Sequence, residues 1–94
     1  MNKSIGFEVA SYLDSNEMMA EYLNLAFASQ DIDLILSAIG DVAKAINLEK
    51  LSAKTGLETE SLEKVIREGG RPQFESVLKV LQAIGIQLKV HPSI

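Results

Sequence analysis

Few of the residues in this chain that could do chemistry are spaced to do it together. His91 is the single histidine and stands beside Pro92, so it reads as an exposed tail residue rather than a general base. Asp31 and Asp33 are spaced like paired carboxylates. Asp31, however, directly precedes an apolar helical run and reads as its cap, and no His or Cys lies nearby to complete a metal site. Gly69-Gly70 follows a helical segment instead of opening one, so it does not form a phosphate-cradling loop. The absence of cysteine removes disulfides, thiolate ligands and a cysteine nucleophile. The expectation is a protein that is not an enzyme and needs no metal or cofactor.

The chemistry that remains is suited to nucleic acid. Thr59, Glu60, Ser61 and Lys64 share one segment, with Lys50 before it and Arg71 after it. Hydroxyls of Ser and Thr can bond to bases or phosphates, Lys and Arg can hold phosphate or guanine, and Glu can accept from N4 of cytosine.

These residues must be positioned by helices, because Leu, Ile, Ala, Glu and Lys are frequent while only Pro72 and Pro92 interrupt them. From Ser15, a cap-like residue, Met18, Met19, Tyr22, Leu23, Ala26 and Phe27 recur at helical spacing. Asp31 opens a second helix, with Leu34, Ile35, Ala38, Ile39, Val42 and Ile46 as its apolar stripe. Gly40 inside that stripe reads first as a tolerated small residue, with close approach of another backbone as the alternative. "LEKLSAKTG" makes about two turns and ends at Gly56. "ETESLEKVIRE" resumes with Leu62, Val65 and Ile66 inward, until "EGGRP" stops it. The fifth helix, "QFESVLKVLQAIG", places Phe74, Val77, Leu78, Val80, Leu81 and Ile84 inward and closes at Gly85. "IQLKV" then alternates like a strand with one apolar face, and needs either the early "GFEV" or a second copy as its partner.

Ninety-four residues with 47% hydrophobic content suffice for one small core. The expectation is an all-α, single-domain chain over residues 1–94, with a 1–14 extension, a helical core over 15–85 and a strand and tail over 86–94. No stretch approaches the ~20 apolar residues of a spanning helix, so the reading is a soluble, cytoplasmic protein with no membrane partner. The net charge of −4 argues mildly against indiscriminate nucleic-acid binding, but it is divided unevenly. Met1 to Ala43 carries one Lys against seven acids, or −6, and Lys44 to Ile94 carries eight bases against six acids, or +2. Such a division suggests two different partners, or chance.

Between the third and fourth expected helices lies the pattern of a helix-turn-helix. Ser52 is the small residue at the crossing, Gly56 makes the turn, Leu57 enters it, and Leu62 and Val65 dock the second helix on Leu48 and Leu51. Together with "FEVASYL", "MAEYLNLAF", "AIGDVAKAINLEKLSAKTGL" and "FESVLKVLQAIGIQLKV", this pattern resembles the addiction-module antidote family of HigA-like antitoxins with a Cro/C1-type helix-turn-helix. The resemblance runs from Phe7 to Val90. It implies a five-helix, lambda-repressor-like domain that dimerises, represses its own operon and neutralises a RelE/HigB-like mRNA-cleaving toxin.

The chain departs from the family's pattern at the reading helix. "GLETESLEKVI" stands where a form such as "GLSRESLYRAL" is usual, so Glu58 replaces the expected cap, Thr59 an Arg and Glu63 an aromatic. Lys50 and Glu49 likewise replace a Gln and a Ser or Thr, and Arg71 stands at a usual Asn. These changes leave the fold reading intact but carry no operator preference over.

The expected DNA-binding set is Lys50, Thr59, Glu60, Ser61, Lys64 and Arg71. Glu58 and Glu60 have a second reading as acids at the positive end of a helix dipole, and Arg67 as the i, i+4 partner of Glu63. For a basic, RNA-holding toxin, the complementary surface is acidic: Glu8, Asp14, Glu17 and Glu21, with Phe7, Tyr12 or Met19 as apolar anchors if exposed. Those four acids read alternatively as a solubilising face. A protein-interaction module of the same fold with lost or weak DNA binding is the alternative function.

Overall fold

In a computed structural model, residues 15–92 are described, and five helices account for most of them. They are α1 (Asn16–Ser29), α2 (Ile32–Lys44), α3 (Leu48–Thr55), α4 (Thr59–Ile66) and α5 (Phe74–Ile84). The first three begin at side-chain caps. Oγ of Ser15 accepts from the Met18 amide at 3.2 Å, Oδ1 of Asp31 from Leu34 at 3.2 Å, and Oδ1 of Asn47 from Glu49 at 2.7 Å. Each cap satisfies an amide that the helix start leaves without an intrahelical partner. At the other ends, Gly56 and Gly85 adopt left-handed φ of 74° and 92°, which turns the chain out of α3 and α5.

One core joins all five helices. α1 packs on α2, α2 on α4, and α3 on both α4 and α5. Met19, Leu23 and Ala26 of α1 meet the buried run from Ala38 to Ala43, while Leu51, Leu62 and Leu81 are wholly enclosed. Each enclosed Leu contributes about 1.5–3 kcal/mol relative to exposure, so α3, α4 and α5 depend on one another for stability.

Gly40 lies where α2 crosses the end of α4. A Cβ built there would stand 3.0 Å from the carbonyl oxygen of Val65 and 3.2 Å from that of Ile66. Close backbone approach, the second of the two readings, is the one realised.

Several expectations change. α2 ends at Lys44, short of Ile46, because Ala45 to Asn47 turns into the next cap. α4 spans Thr59–Ile66 rather than 58–68, with Glu58 as its N-cap and Arg67 already extended. Phe74 is 69% exposed and Leu34 50% exposed, although both belong to apolar stripes. Side chains lean toward the start of their helix, so Phe74, the first residue of α5, projects past its neighbours. The strand expected over 86–90 is not formed among the described residues, where the chain after Gly85 is irregular. The "GFEV" segment proposed as its partner lies outside the described residues. No helix among those described is long and apolar enough to cross a membrane.

Candidate nucleic-acid interface

α3 and α4 are eight residues each and joined by Gly56, Leu57 and Glu58. Side-chain hydrogen bonds fix this connection from inside. Oγ of Ser52 donates to the Leu57 carbonyl at 3.2 Å, and Oγ1 of Thr55 donates to the Leu51 carbonyl at 2.6 Å while accepting from the Leu57 amide at 3.1 Å. Leu57 is thereby held through both its amide and its carbonyl. Ser52 was legible as the small residue of the pattern. Thr55 was missed, although a Thr one residue before a closing Gly is a local signal that could have been read.

With the turn fixed, Leu62 and Val65 seat α4 in the core and its opposite side faces outward. Thr59, Glu60 and Lys64 are exposed, Ser61 is half-buried at the edge, and Lys50 is exposed on α3. Glu58 occupies the N-cap position without a side-chain capping bond, and Glu60 lies in the first turn. Both acids therefore stand at the positive end of the α4 dipole.

At the far end of α4, the amide of Gly70 donates to the Arg67 carbonyl at 2.9 Å. A Cβ at Gly70 would collide with the carbonyl oxygen of Lys64, so only glycine permits this close return of the chain. The return presents Arg71, whose Nη2 lies 3.4 Å from Oδ1 of Asp33. The two residues are 38 apart in sequence, so no local pattern announces the pair. It is exposed, and worth no more than about 1 kcal/mol. Arg67 forms no ion pair with Glu63 among the described residues; its backbone amide instead donates to the Glu63 carbonyl at 2.8 Å.

Charge is balanced across this surface. Between Leu48 and Pro72, five bases (Lys50, Lys54, Lys64, Arg67 and Arg71) stand against five acids (Glu49, Glu58, Glu60, Glu63 and Glu68).

The acidic face proposed for a second partner is only partly in view. Glu17 and Glu21 are exposed on α1, while Glu8, Asp14, Phe7 and Tyr12 lie outside the described residues. Met19 is 6% exposed and belongs to the core, so it is not a surface anchor. Among the described residues of this half, the large exposed apolar ones are instead Met18, Leu25, Phe27, Ile32 and Leu34. α1 is tied to α2 through Tyr22, whose hydroxyl donates to Oδ2 of the buried Asp41 at 2.6 Å. Burial, that hydrogen bond and the charge of Asp41, in this order, push the phenol above its ordinary range. No cluster of three or more His, Cys, Asp or Glu that could hold a metal occurs among the described residues.

The five helices share one core, and the hydroxyl and charged groups of α4 lie on its outer side. A family profile described as "Probable addiction module antidote protein" matches residues 3–92, and the chain belongs to this family. It is 39% identical over 87 residues to a Haemophilus influenzae protein described as "Uncharacterized protein", a match covering 93% of this chain and 90% of that one. No solved structure gives a significant match. Membership makes the chain an addiction-module antidote, and an antidote implies a toxin as partner. Antidotes of this kind are generally regulators rather than enzymes.

Proposed function

We propose that this antidote is a HigA-like, homodimeric DNA-binding repressor of its own operon and the neutraliser of a RelE/HigB-like mRNA-cleaving toxin. In this reading residues 1–94 form one cytoplasmic functional unit, and α3, its turn and α4 are the helix-turn-helix. The observation that carries the proposal is the seating of α4. Leu62 and Val65 are enclosed and the turn is held at Leu57, so Thr59, Glu60 and Lys64 are offered outward on a fixed element. Such a helix can enter a major groove with its first residues toward base edges, and a dimer would present two of them about 34 Å apart. Lys50 and Arg71 flank α4 as phosphate contacts, and Ser61 completes the set at its edge. Glu60 would restrict the readable sequences by requiring a donor such as cytosine N4.

Neutralisation is steric and electrostatic masking by the acidic half, with Glu17 and Glu21 on α1 and Glu8 and Asp14 before it. A short, basic product encoded by the adjacent reading frame would support the toxin assignment. The DNA assignment is tested by titrating the protein against the DNA upstream of its gene at low and physiological salt. Lys64→Ala is expected to weaken binding and reduce the salt slope by about one per contact. Full affinity in both Lys64→Ala and Arg71→Ala would overturn the contact set.

The five-against-five charge balance favours a second reading, a protein-interaction module of the same fold with weak DNA affinity. Absence of a mobility shift even at low salt selects it.

A further inference from the structure

We propose that residues 86–90 pair antiparallel with the same residues of a second copy, about a two-fold axis through Leu88. The proposal rests on the homodimer reading above and locates its seam. Ile86, Leu88 and Val90 alternate with Gln87 and Lys89, the period of a strand with one apolar face. Val90 is nevertheless 94% exposed and Leu88 39% exposed. Among the described residues, the backbone of Gln87 to His91 has no backbone hydrogen-bond partner. A strand-patterned segment whose edge is unpaired among the described residues is a template for β-pairing.

The sequence is self-complementary about Leu88. Antiparallel pairing there sets Leu88 against Leu88 of the partner subunit, Ile86 against Val90 of the partner subunit, and Gln87 against Lys89 of the partner subunit. Apolar residues meet apolar residues, and no Lys faces its copy. Parallel, in-register pairing would oppose the two Lys89 side chains, which is unfavourable.

Backbone geometry fits the same register. The amide of Ile86 already donates to the Leu81 carbonyl at 2.9 Å, turned back on its own α5. Hydrogen-bonded and non-hydrogen-bonded pairs alternate in an antiparallel ladder. If Leu88 is a non-hydrogen-bonded position, Ile86 is one as well, and its amide is not required by the partner. Gln87 and Lys89 then exchange both of their backbone bonds with the partner.

A two-stranded ribbon is marginal alone and needs apolar surface behind it. A groove beside the end of α5 supplies it, with Leu78, Leu81, Ile86 and Leu88 as its apolar lining and Gln82, Gly85 and Gln87 completing it. Val90 of the partner subunit, opposite Ile86, covers it.

The chain has no cysteine, so single introduced cysteines report the register. In the full chain under mild oxidation, Leu88→Cys is expected to give a covalent dimer. Ile86→Cys and Val90→Cys should each remain largely uncrosslinked alone and crosslink when mixed. Lys89→Pro, which removes a ladder donor, should lower the mass found by sedimentation to that of the monomer, whereas Lys89→Ala should not. If the unmodified protein is dimeric but Leu88→Cys does not crosslink, the seam is overturned and the homodimer stands. Equal crosslinking of Ile86→Cys alone and Leu88→Cys would also overturn the register. A monomer at every concentration overturns the homodimer and the seam together.

Discussion

The hydroxyl of Tyr22 on α1 and the carboxylate of Asp41 on α2 meet at 2.6 Å, and Asp41 is buried where they meet. This single bond satisfies a carboxylate that the core would otherwise leave without that donor. Tyr22→Phe keeps the ring and deletes the donor, so it should cost about 1–3 kcal/mol in urea unfolding. A change within error would show that water replaces the phenol.

The same pair gives stability an alkaline limit. In the folded chain the Tyr22 phenol holds its proton above the ordinary value of 10.0. Below pH 10 both states are protonated and the contribution is complete. As pH rises further the unfolded chain loses the proton first, and stability falls. Wild type should therefore lose stability more steeply than Tyr22→Phe above about pH 10. Parallel profiles would refute the linkage.

Gly40 leaves no room for a branched side chain, since backbone oxygens of Val65 and Ile66 already lie at Cβ contact distance. Gly40→Val should destabilise by about 1–3 kcal/mol through overpacking. Thermal unfolding checks this, and an unchanged midpoint would mean that α2 and α4 can part without loss.

At the turn, Gly56 sits at φ 74° with open space around the missing Cβ, so only backbone strain opposes a side chain. Gly56→Ala should cost about 1–2 kcal/mol, and Gly56→Asn less, because Asn tolerates this conformation. Equal stability of all three forms would exclude strain as the reason for glycine.

Arg71 is shared between Asp33 and, in the proposed function, a phosphate. Asp33→Asn removes the competing charge, so it should tighten binding to the upstream DNA while altering folding stability by less than about 1 kcal/mol. Weaker binding would show that Asp33 positions Arg71 for DNA instead of restraining it.

The sequence made the helices legible because their signals are local. Ser15 and Asp31 mark starts, Gly56 and Gly85 mark stops, and the intervening apolar spacing has the period of a helix. Asn47 carries the same kind of signal just before Leu48 and marks the start of α3, but no comparable residue marks the end of α2 at Lys44. Arg71–Asp33, Tyr22–Asp41 and the seat of α4 at Gly40 depend on elements distant in sequence, where periodicity is silent. Phe74 and Leu34 show a further limit: an apolar stripe gives the side that can be covered, but both residues lie in the first turn of their helices and remain half or more exposed. The apparent strand over 86–90 has the right alternation, but alternation supplies no second strand. For the site, residue type and spacing placed Thr59, Glu60 and Lys64 outward on α4. They did not reveal that Arg71 already has an acid beside it.

Gly40 and Asp41 are consecutive residues of α2, one supporting the end of α4 and the other gripping α1 through Tyr22. A single turn of α2 thus carries the contacts of two neighbouring helices, so a substitution that shifts this turn is expected to loosen α1 and α4 together.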